Sequence, residues 1–115
     1  MKDFINDLAR WGCNVDTALE RFDGDRELYV ECLEIFDQDK NFSDLGQLLQ
    51  SEKYSEAYNC AHALQGVTAN LSLTPLLEII TAISVALKQG LYDTAVKNYK
   101  ILLVKKEQYD KIVNP

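Results

Sequence analysis

The sequence predicts an all-α domain, an antiparallel up-and-down four-helix bundle with short additional helices at its N-terminal end. Apolar residues recur at the spacing of amphipathic helices along the whole chain, and no stretch alternates apolar and polar residues for long enough to predict a strand. The chain has only two prolines and five glycines, too few for a turn-rich β design. The breaks between helical segments are short, which favours antiparallel neighbours.

Three short helices are predicted before the bundle. The first carries an apolar stripe and should end at Gly12, because glycine is the usual residue just past a helix C-terminus. Asp16 is the predicted cap of the second helix, which Gly24 should end. Asp25 precedes a broader apolar face on a third helix that ends near Lys40.

The bundle itself is predicted from about residue 41. Its first helix has Asn41 or Ser43 as candidate caps, and its second runs from about 55 to 73. Thr74 is the predicted cap of the third helix, with Pro75 at the first helical position, where its missing N–H costs nothing.

The third helix should end at Gly90, and the fourth should run from about 92 to 112. Six residues of the fourth helix are predicted to point inward: Ala95, Val96, Tyr99, Leu102, Leu103 and Tyr109.

Length and composition indicate one domain over residues 1–115. Apolar residues make up 47% of the chain and charged residues 26%, which is ordinary for a globular protein. We expect a core bundle over about 41–112, with N-terminal helices over about 2–39 packed on it.

Charge and cysteine content exclude several classes of function. The net charge is −6, and residues 1–60 are acidic, which argues against nucleic-acid binding. The three cysteines are widely spaced and accompany a single histidine, so we expect reduced, mostly buried thiols and no metal site. No apolar run approaches the length of a membrane span, and the start lacks the apolar stretch of a signal peptide, so we expect a cytoplasmic protein without membrane contact.

The single histidine, His62, is the most informative residue of the chain. It lies in the middle of a predicted helix, and Gly66 follows one turn later on the same face. Glycine costs about 1 kcal/mol in a helix interior relative to alanine. Clearing the surface beside the imidazole for another macromolecule would explain that cost.

Helical geometry predicts which side chains surround the imidazole. At about 100° per residue, His62 lies outside the apolar stripe and faces solvent. Five neighbours share its face: Tyr58, Asn59, Gln65, Gly66 and Ala69. An imidazole near neutral pH can act as a nucleophile and form a phosphorylated intermediate. Phosphoryl transfer is mostly positioning and charge neutralisation, so a bare convex face could suffice.

The run AHALQGVTANLSLTPL, residues 61–76, resembles the signature of histidine phosphotransfer (HPt) domains. That family's usual form is His-x-Leu-Lys-Gly, followed by small residues and then Asn-Leu-Gly. The match covers about 16 residues, and the predicted helices agree with the family's four-helix bundle. The absence of an ATP-binding motif or a receiver-like sheet in the sequence suggests a free-standing member of the bacterial type.

The resemblance implies that His62 accepts a phosphoryl group from, or passes it to, an aspartate of a response-regulator receiver domain. It implies that Gly66 clears the approach and that Gln65 lies beside the phosphoryl group. The expected partners are a receiver domain, a hybrid histidine kinase, or both. Mg²⁺ would lie on the receiver and no cofactor on this chain.

Two departures from the family pattern qualify this expectation. Gln65 replaces the family's lysine, which removes a positive charge, and Ser72 replaces its later glycine. We therefore expect a monomeric phosphocarrier without kinase activity of its own. The alternative is a pseudo-HPt module that docks a receiver or kinase without carrying phosphate; the retained His62 favours the carrier and Gln65 favours the alternative.

Overall fold

The computed structural model of the chain describes residues 4–115, and all its regular secondary structure is helical. Its helices are α1 (Ile5–Trp11), α2 (Val15–Arg21), α3 (Arg26–Asp37), α4 (Asn41–Gln50), α5 (Tyr54–Asn70), α6 (Thr74–Lys88) and α7 (Tyr92–Val113). The predicted all-α class is thereby confirmed. The N-terminal helical region was expected from about residue 2, but residues 1–3 lie outside the described part. No helix between residues 4 and 115 is both long and apolar enough to cross a membrane.

The last four helices pack on one another in chain order. Helix α5 lies against both α4 and α6, and α6 lies against α7. The start of α5 is beside the end of α6, and the start of α6 is beside the middle of α7. Helix α3 packs on α7. One apolar core runs through all of these helices, and α5 has a side that no other helix covers.

The predicted helix stops at Gly12, Gly24 and Gly90 are confirmed, since each glycine follows its helix with a positive φ. Gly12 follows α1 in the left-handed conformation, with φ of 118°, and its N–H donates to carbonyls of the last turn. The side chain of Asp25 caps α3 by accepting a hydrogen bond from the Leu28 N–H at 3.0 Å. Both residues satisfy backbone groups that a helix end would otherwise leave unpaired.

The predicted cap of α2 was wrong. Asn14, not Asp16, occupies the cap position, and its side chain accepts from the Thr17 N–H at 3.3 Å. Asp16 lies in the first helical turn, where its charge still favours the helix dipole. Both side chains are good caps in principle, and the chain uses the earlier one.

The predicted caps of α4 and α6 were also wrong, because both helices begin earlier than the capping pattern indicates. Lys40 holds the cap position of α4, so Asn41 is already helical, and Ser43 donates to the Lys40 carbonyl. Leu73 holds the cap position of α6, which makes Thr74 its first residue. Leu73 is fully buried, so tertiary packing decides where this helix starts.

Helix α7 buries a narrower face than predicted. Ala95, Leu102 and Tyr109 are fully buried as expected, and Tyr99 is half-buried. Val96 and Leu103 are 36% and 49% exposed, so their predicted inward orientation was wrong. Because α7 packs on α6 and α3 over one side only, residues at the margin of that side remain in solvent.

The N-terminal helices hold the end of α5 through polar contacts. One guanidinium nitrogen of Arg21 in α2 lies 3.0 Å from the carbonyl oxygens of Ala69 and Asn70, and 2.8 Å from the Ser72 hydroxyl. The buried Tyr29 hydroxyl of α3 donates to the Leu71 carbonyl at 2.8 Å. These donors satisfy carbonyls that the helix end leaves unpaired.

Helices α3 and α7 are joined by a cluster of charged and polar side chains. The Lys106 ammonium donates to both the side chain and the backbone carbonyl of Asp37 at 3.1 Å, and it also pairs with Asp110. Asn114 donates to the second Asp37 oxygen at 2.6 Å. We call these four residues the Lys106 cluster; the side chains of Lys106 and Asp37 are only 14% and 6% exposed.

Candidate functional site

His62 lies on the uncovered side of α5 and is exposed to solvent, as the sequence predicts. The opposite side of the helix faces the core through five residues: Ala57, Cys60, Ala61, Leu64 and Thr68. Because successive side chains are about 100° apart, the helix cannot bury this set without turning His62 outward. The buried residues of α5 thus determine that His62 projects from the solvent side of the helix.

Gly66 is exposed one turn after His62, within regular helix. It has no positive φ, so the backbone conformation does not require glycine. A Cβ atom built at this position would meet no other heavy atom within 4 Å, so packing does not require glycine either. Helix propensity favours almost any other residue here by up to about 1 kcal/mol.

The other predicted site residues also lie on α5, around the same side of the helix. Asn59 and Ala69 are exposed, while Tyr58 and Gln65 are half-buried. Together with His62 and Gly66 they form a surface whose centre carries small side chains. We call these six residues the His62 face.

Tyr58 contacts the His62 ring. The sequence predicts that Tyr58 lies on the same face of the helix, but it does not predict this contact. The Tyr58 ring, one turn earlier, stacks on the imidazole with centroids 5.9 Å apart and an angle of 19° between planes. No residue between 4 and 115 forms a hydrogen bond with the imidazole. Stacking therefore restricts the tilt of the ring while leaving both nitrogens free to react.

A cleft of about 490 Å³ borders the His62 face at the start of α5. It is lined by Tyr54, Ser55, Tyr58, Asn59, Leu87, Lys88 and Tyr92. Tyr54 and Tyr92 stack across it with ring centroids 3.7 Å apart and an interplanar angle of 7°. We call it the tyrosine cleft. Each of these two tyrosines opens a helix, but only the packing of α5 beside the α6–α7 turn reveals that they meet.

Positive charge is scarce around the His62 face. Helix α5 contains no lysine or arginine, and Glu56 lies in its first turn. Lys88, in the last turn of α6, is exposed and lines the tyrosine cleft opposite Tyr58. An anion on His62 would therefore need a cation from outside α5, and Lys88 is one that lines the adjoining cleft.

Cys60 is two residues from His62 but is not its chemical partner. It lies on the buried side of α5, and its thiol donates to the Asn41 carbonyl at 3.1 Å. Burial, together with the charges of Asp44 and Asp39, raises the pKa of this thiol to about 11. A buried thiol that stays protonated near neutral pH is a poor nucleophile.

All three cysteines are free, and Cys13 and Cys60 are buried, which confirms the expectation of mostly buried, unpaired thiols. Within the described chain, no group of three or more histidine, cysteine, aspartate or glutamate side chains is placed to hold a metal ion.

Comparison of this chain with protein-family models, with curated proteins and with solved structures gives no match.

Proposed function

We propose that this protein is a histidine phosphocarrier that exchanges a phosphoryl group with an aspartate of a receiver domain. The observation that carries the proposal is Gly66. It accepts a helix-propensity cost of about 1 kcal/mol that nothing within residues 4–115 explains, one turn from the exposed His62. A partner that must approach the imidazole closely would explain it.

The proposed step is an in-line displacement at phosphorus. The lone pair of one imidazole nitrogen forms the N–P bond while the bond from phosphorus to the aspartyl oxygen breaks, leaving a carboxylate on the partner. The ring becomes cationic as the N–P bond forms, and its positive charge is removed when the N–H proton of the other ring nitrogen is lost to water. The reverse step would return the phosphoryl group, and Mg²⁺ bound by the receiver would neutralise charge in the transition state.

The fold supports such an exchange by presenting His62 on a rigid convex surface. We propose that α4, α5, α6 and α7 form an antiparallel four-helix bundle, since each packs on the next and the end of α6 lies beside the start of α5. Helices α1 to α3 would then brace one end of the bundle. We propose further that the carrier acts as a monomer in the cytoplasm.

A second candidate is a docking module that binds a receiver or a kinase without carrying phosphate. Gln65 favours it, because a glutamine leaves the exposed side of α5 without a cation. The two candidates share the same binding face and differ in whether a covalent N–P bond forms.

The test is transfer from a receiver domain carrying radiolabelled aspartyl phosphate. The carrier predicts an acid-labile, base-stable label on the wild-type chain and its complete loss in His62→Gln. Lys100→Gln, at an exposed position on α7 outside the His62 face, serves as the matched control and should retain the label.

Stable receiver binding without label on the wild-type chain would select the docking module. Label that persists in His62→Gln would contradict the assignment of the phosphoacceptor.

A further inference from the structure

A phosphoryl group on His62 would place new negative charge on a surface that has little to balance it. The group carries about −1.5 to −2 charge near neutral pH. The protein already has a net charge of −6, and α5 contributes no lysine or arginine. Stabilisation of the phosphorylated state must therefore come from a neighbouring helix or from the partner.

Lys88 is the lysine that the fold brings to this surface. Its side chain lines the tyrosine cleft together with Tyr58, and Tyr58 stacks on His62. Lys88 is exposed, and no acidic side chain between residues 4 and 115 forms an ion pair with it. A flexible lysine with no competing partner can move toward an anion at little cost.

Two other cations lie near α5. Lys53 holds the cap position of the helix, nine residues and about 13 Å of helix rise before His62. Arg21, at the other end of α5, is already engaged. Its guanidinium group hydrogen-bonds the carbonyls of Ala69 and Asn70 and the Ser72 hydroxyl at the end of the helix. Moving it toward His62 would remove the hydrogen bond to the Asn70 carbonyl, which costs free energy, while the Ala69 carbonyl would keep its bond from the Ser72 N–H.

Resting on the proposed function, we propose that Lys88 is the residue of this chain that stabilises the phosphoryl group on His62, from across the tyrosine cleft. Lys88 thereby provides the positive charge that is missing at Gln65. Because the interaction is between exposed groups, its effect on the rate of phosphoryl acceptance is up to about fivefold at low salt. Salt should reduce that effect, since exposed charges are screened over about 10 Å at 0.1 M.

The experiment labels His62 chemically with phosphoramidate, without any receiver, and follows the ³¹P shift of the phosphohistidine against pH. A nearby ammonium favours the dianion of the phosphoryl group, so the wild-type protein should show a lower second phosphoryl pKa than Lys88→Gln. Lys88→Arg keeps the charge and should resemble the wild type. Lys100→Gln on α7 removes the same charge from an exposed residue outside the cleft, and is the matched control.

Equal ³¹P titrations for Lys88→Gln and Lys100→Gln, each folded by circular dichroism, would overturn the role of Lys88 and leave the phosphocarrier proposal standing. A titration difference confined to Lys88→Gln supports the role. If receivers fail to label the wild-type chain, the phosphocarrier proposal fails whatever the ³¹P titration shows.

Discussion

The Lys106 cluster and the His62 face use polar side chains in opposite ways. In the cluster, the polar side chains bind one another: Lys106 contacts Asp37 and Asp110, and Asn114 contacts Asp37. On the His62 face, the imidazole has a stacking neighbour and no hydrogen bond within the described residues. The difference separates side chains that hold the helices together from one that is left free to react.

The cluster also lies where charge is costly to leave unpaired. Asp37 is almost fully buried, whereas His62 is exposed. Removing a partner from the cluster should therefore affect stability, and altering the His62 face should affect exchange with a partner while the fold is retained. Four predictions test this division.

The largest effect is expected for Lys106→Met. Removing the ammonium leaves the Asp37 carboxylate buried without its cation, which should lower the free energy of unfolding by about 3 kcal/mol in urea denaturation. Lys111→Met is the matched control, because Lys111 forms an exposed pair with Glu107 and should matter by less than about 1 kcal/mol. Similar losses for both variants would contradict the assigned role of the cluster.

Acid should weaken the same contact. Burial alone would raise the pKa of Asp37, but hydrogen bonds from Asp110, Lys106 and Asn114 and the Lys106 charge hold it below its ordinary value. The stability gained from Asp37 is therefore fully present above the pKa of an unfolded aspartate, about 3.9, and is lost as pH falls through the lower folded value. Urea denaturation between pH 2 and 5 should show this loss, and Asp37→Asn should flatten it.

Asp110 provides a control, because its pKa is shifted in the opposite direction. Burial and the neighbouring Asp37 raise its pKa, so its contribution to the free energy of unfolding falls as pH rises from the unfolded value to the folded one. Asp110→Asn should remove that decrease. An Asp110→Asn variant with the same pH dependence as Asp37→Asn would show that the two carboxylates are wrongly distinguished.

On the His62 face, Gly66→Gln should raise the stability of the fold while slowing phosphoryl transfer. The open space at Gly66 accommodates a side chain, so helix propensity should raise the free energy of unfolding by up to about 1 kcal/mol. The longer side chain would obstruct the partner, and a steric cost of about 1–3 kcal/mol corresponds to transfer that is roughly 5-fold to 150-fold slower. Ala63→Gln places the same side chain on an exposed position farther round the helix. Wild-type transfer by Gly66→Gln in stopped-time labelling would remove the clearance argument.

The smallest effect is expected for Gln65→Lys. A lysine there would lie about one turn from His62 and offset part of the phosphoryl charge, speeding acceptance up to about fivefold. The gain should shrink as ionic strength increases. Acceptance rates of both proteins across salt concentrations provide the measurement. If Gln65→Lys accepts the phosphoryl group at low salt no faster than the wild type, glutamine suits the partner at this position better than a charged side chain does.

Patterns local to one helix made much of this structure predictable. The spacing of apolar residues located every helix, and it placed His62 on the exposed side of α5. Capping residues were less predictable: Asn14 and Asp16 are both good caps, and buried Leu73 moved the start of α6 by one residue. The candidate cap residues at these helix starts differ in capping free energy by less than tertiary packing contributes, so packing decides which residue takes the cap position.

Contacts between distant residues could not be predicted. Asp37 and Lys106 are 69 residues apart, and no periodicity in the sequence relates them. The tyrosine cleft likewise requires Tyr54 and Tyr92 to meet across two helices. The stacking of Tyr58 on His62 was within reach of helical geometry, but it depends on side-chain rotamers that spacing alone does not determine.

The hydrogen bond from the Trp11 indole to the Gln108 side chain, at 2.9 Å, has a consequence for the order in which the helices fold. It joins residues 97 positions apart, and the Tyr109 hydroxyl reaches the Leu33 carbonyl over 76. Helices as short as α1 and α2 are not stable alone. During synthesis, α1 and α3 can make these two contacts only after α7 has left the ribosome, whereas α4, α5 and α6 can already pair. We therefore expect pulsed hydrogen exchange during refolding to protect the amides of α5 and α6 before those of α1, with simultaneous protection as the contrary result.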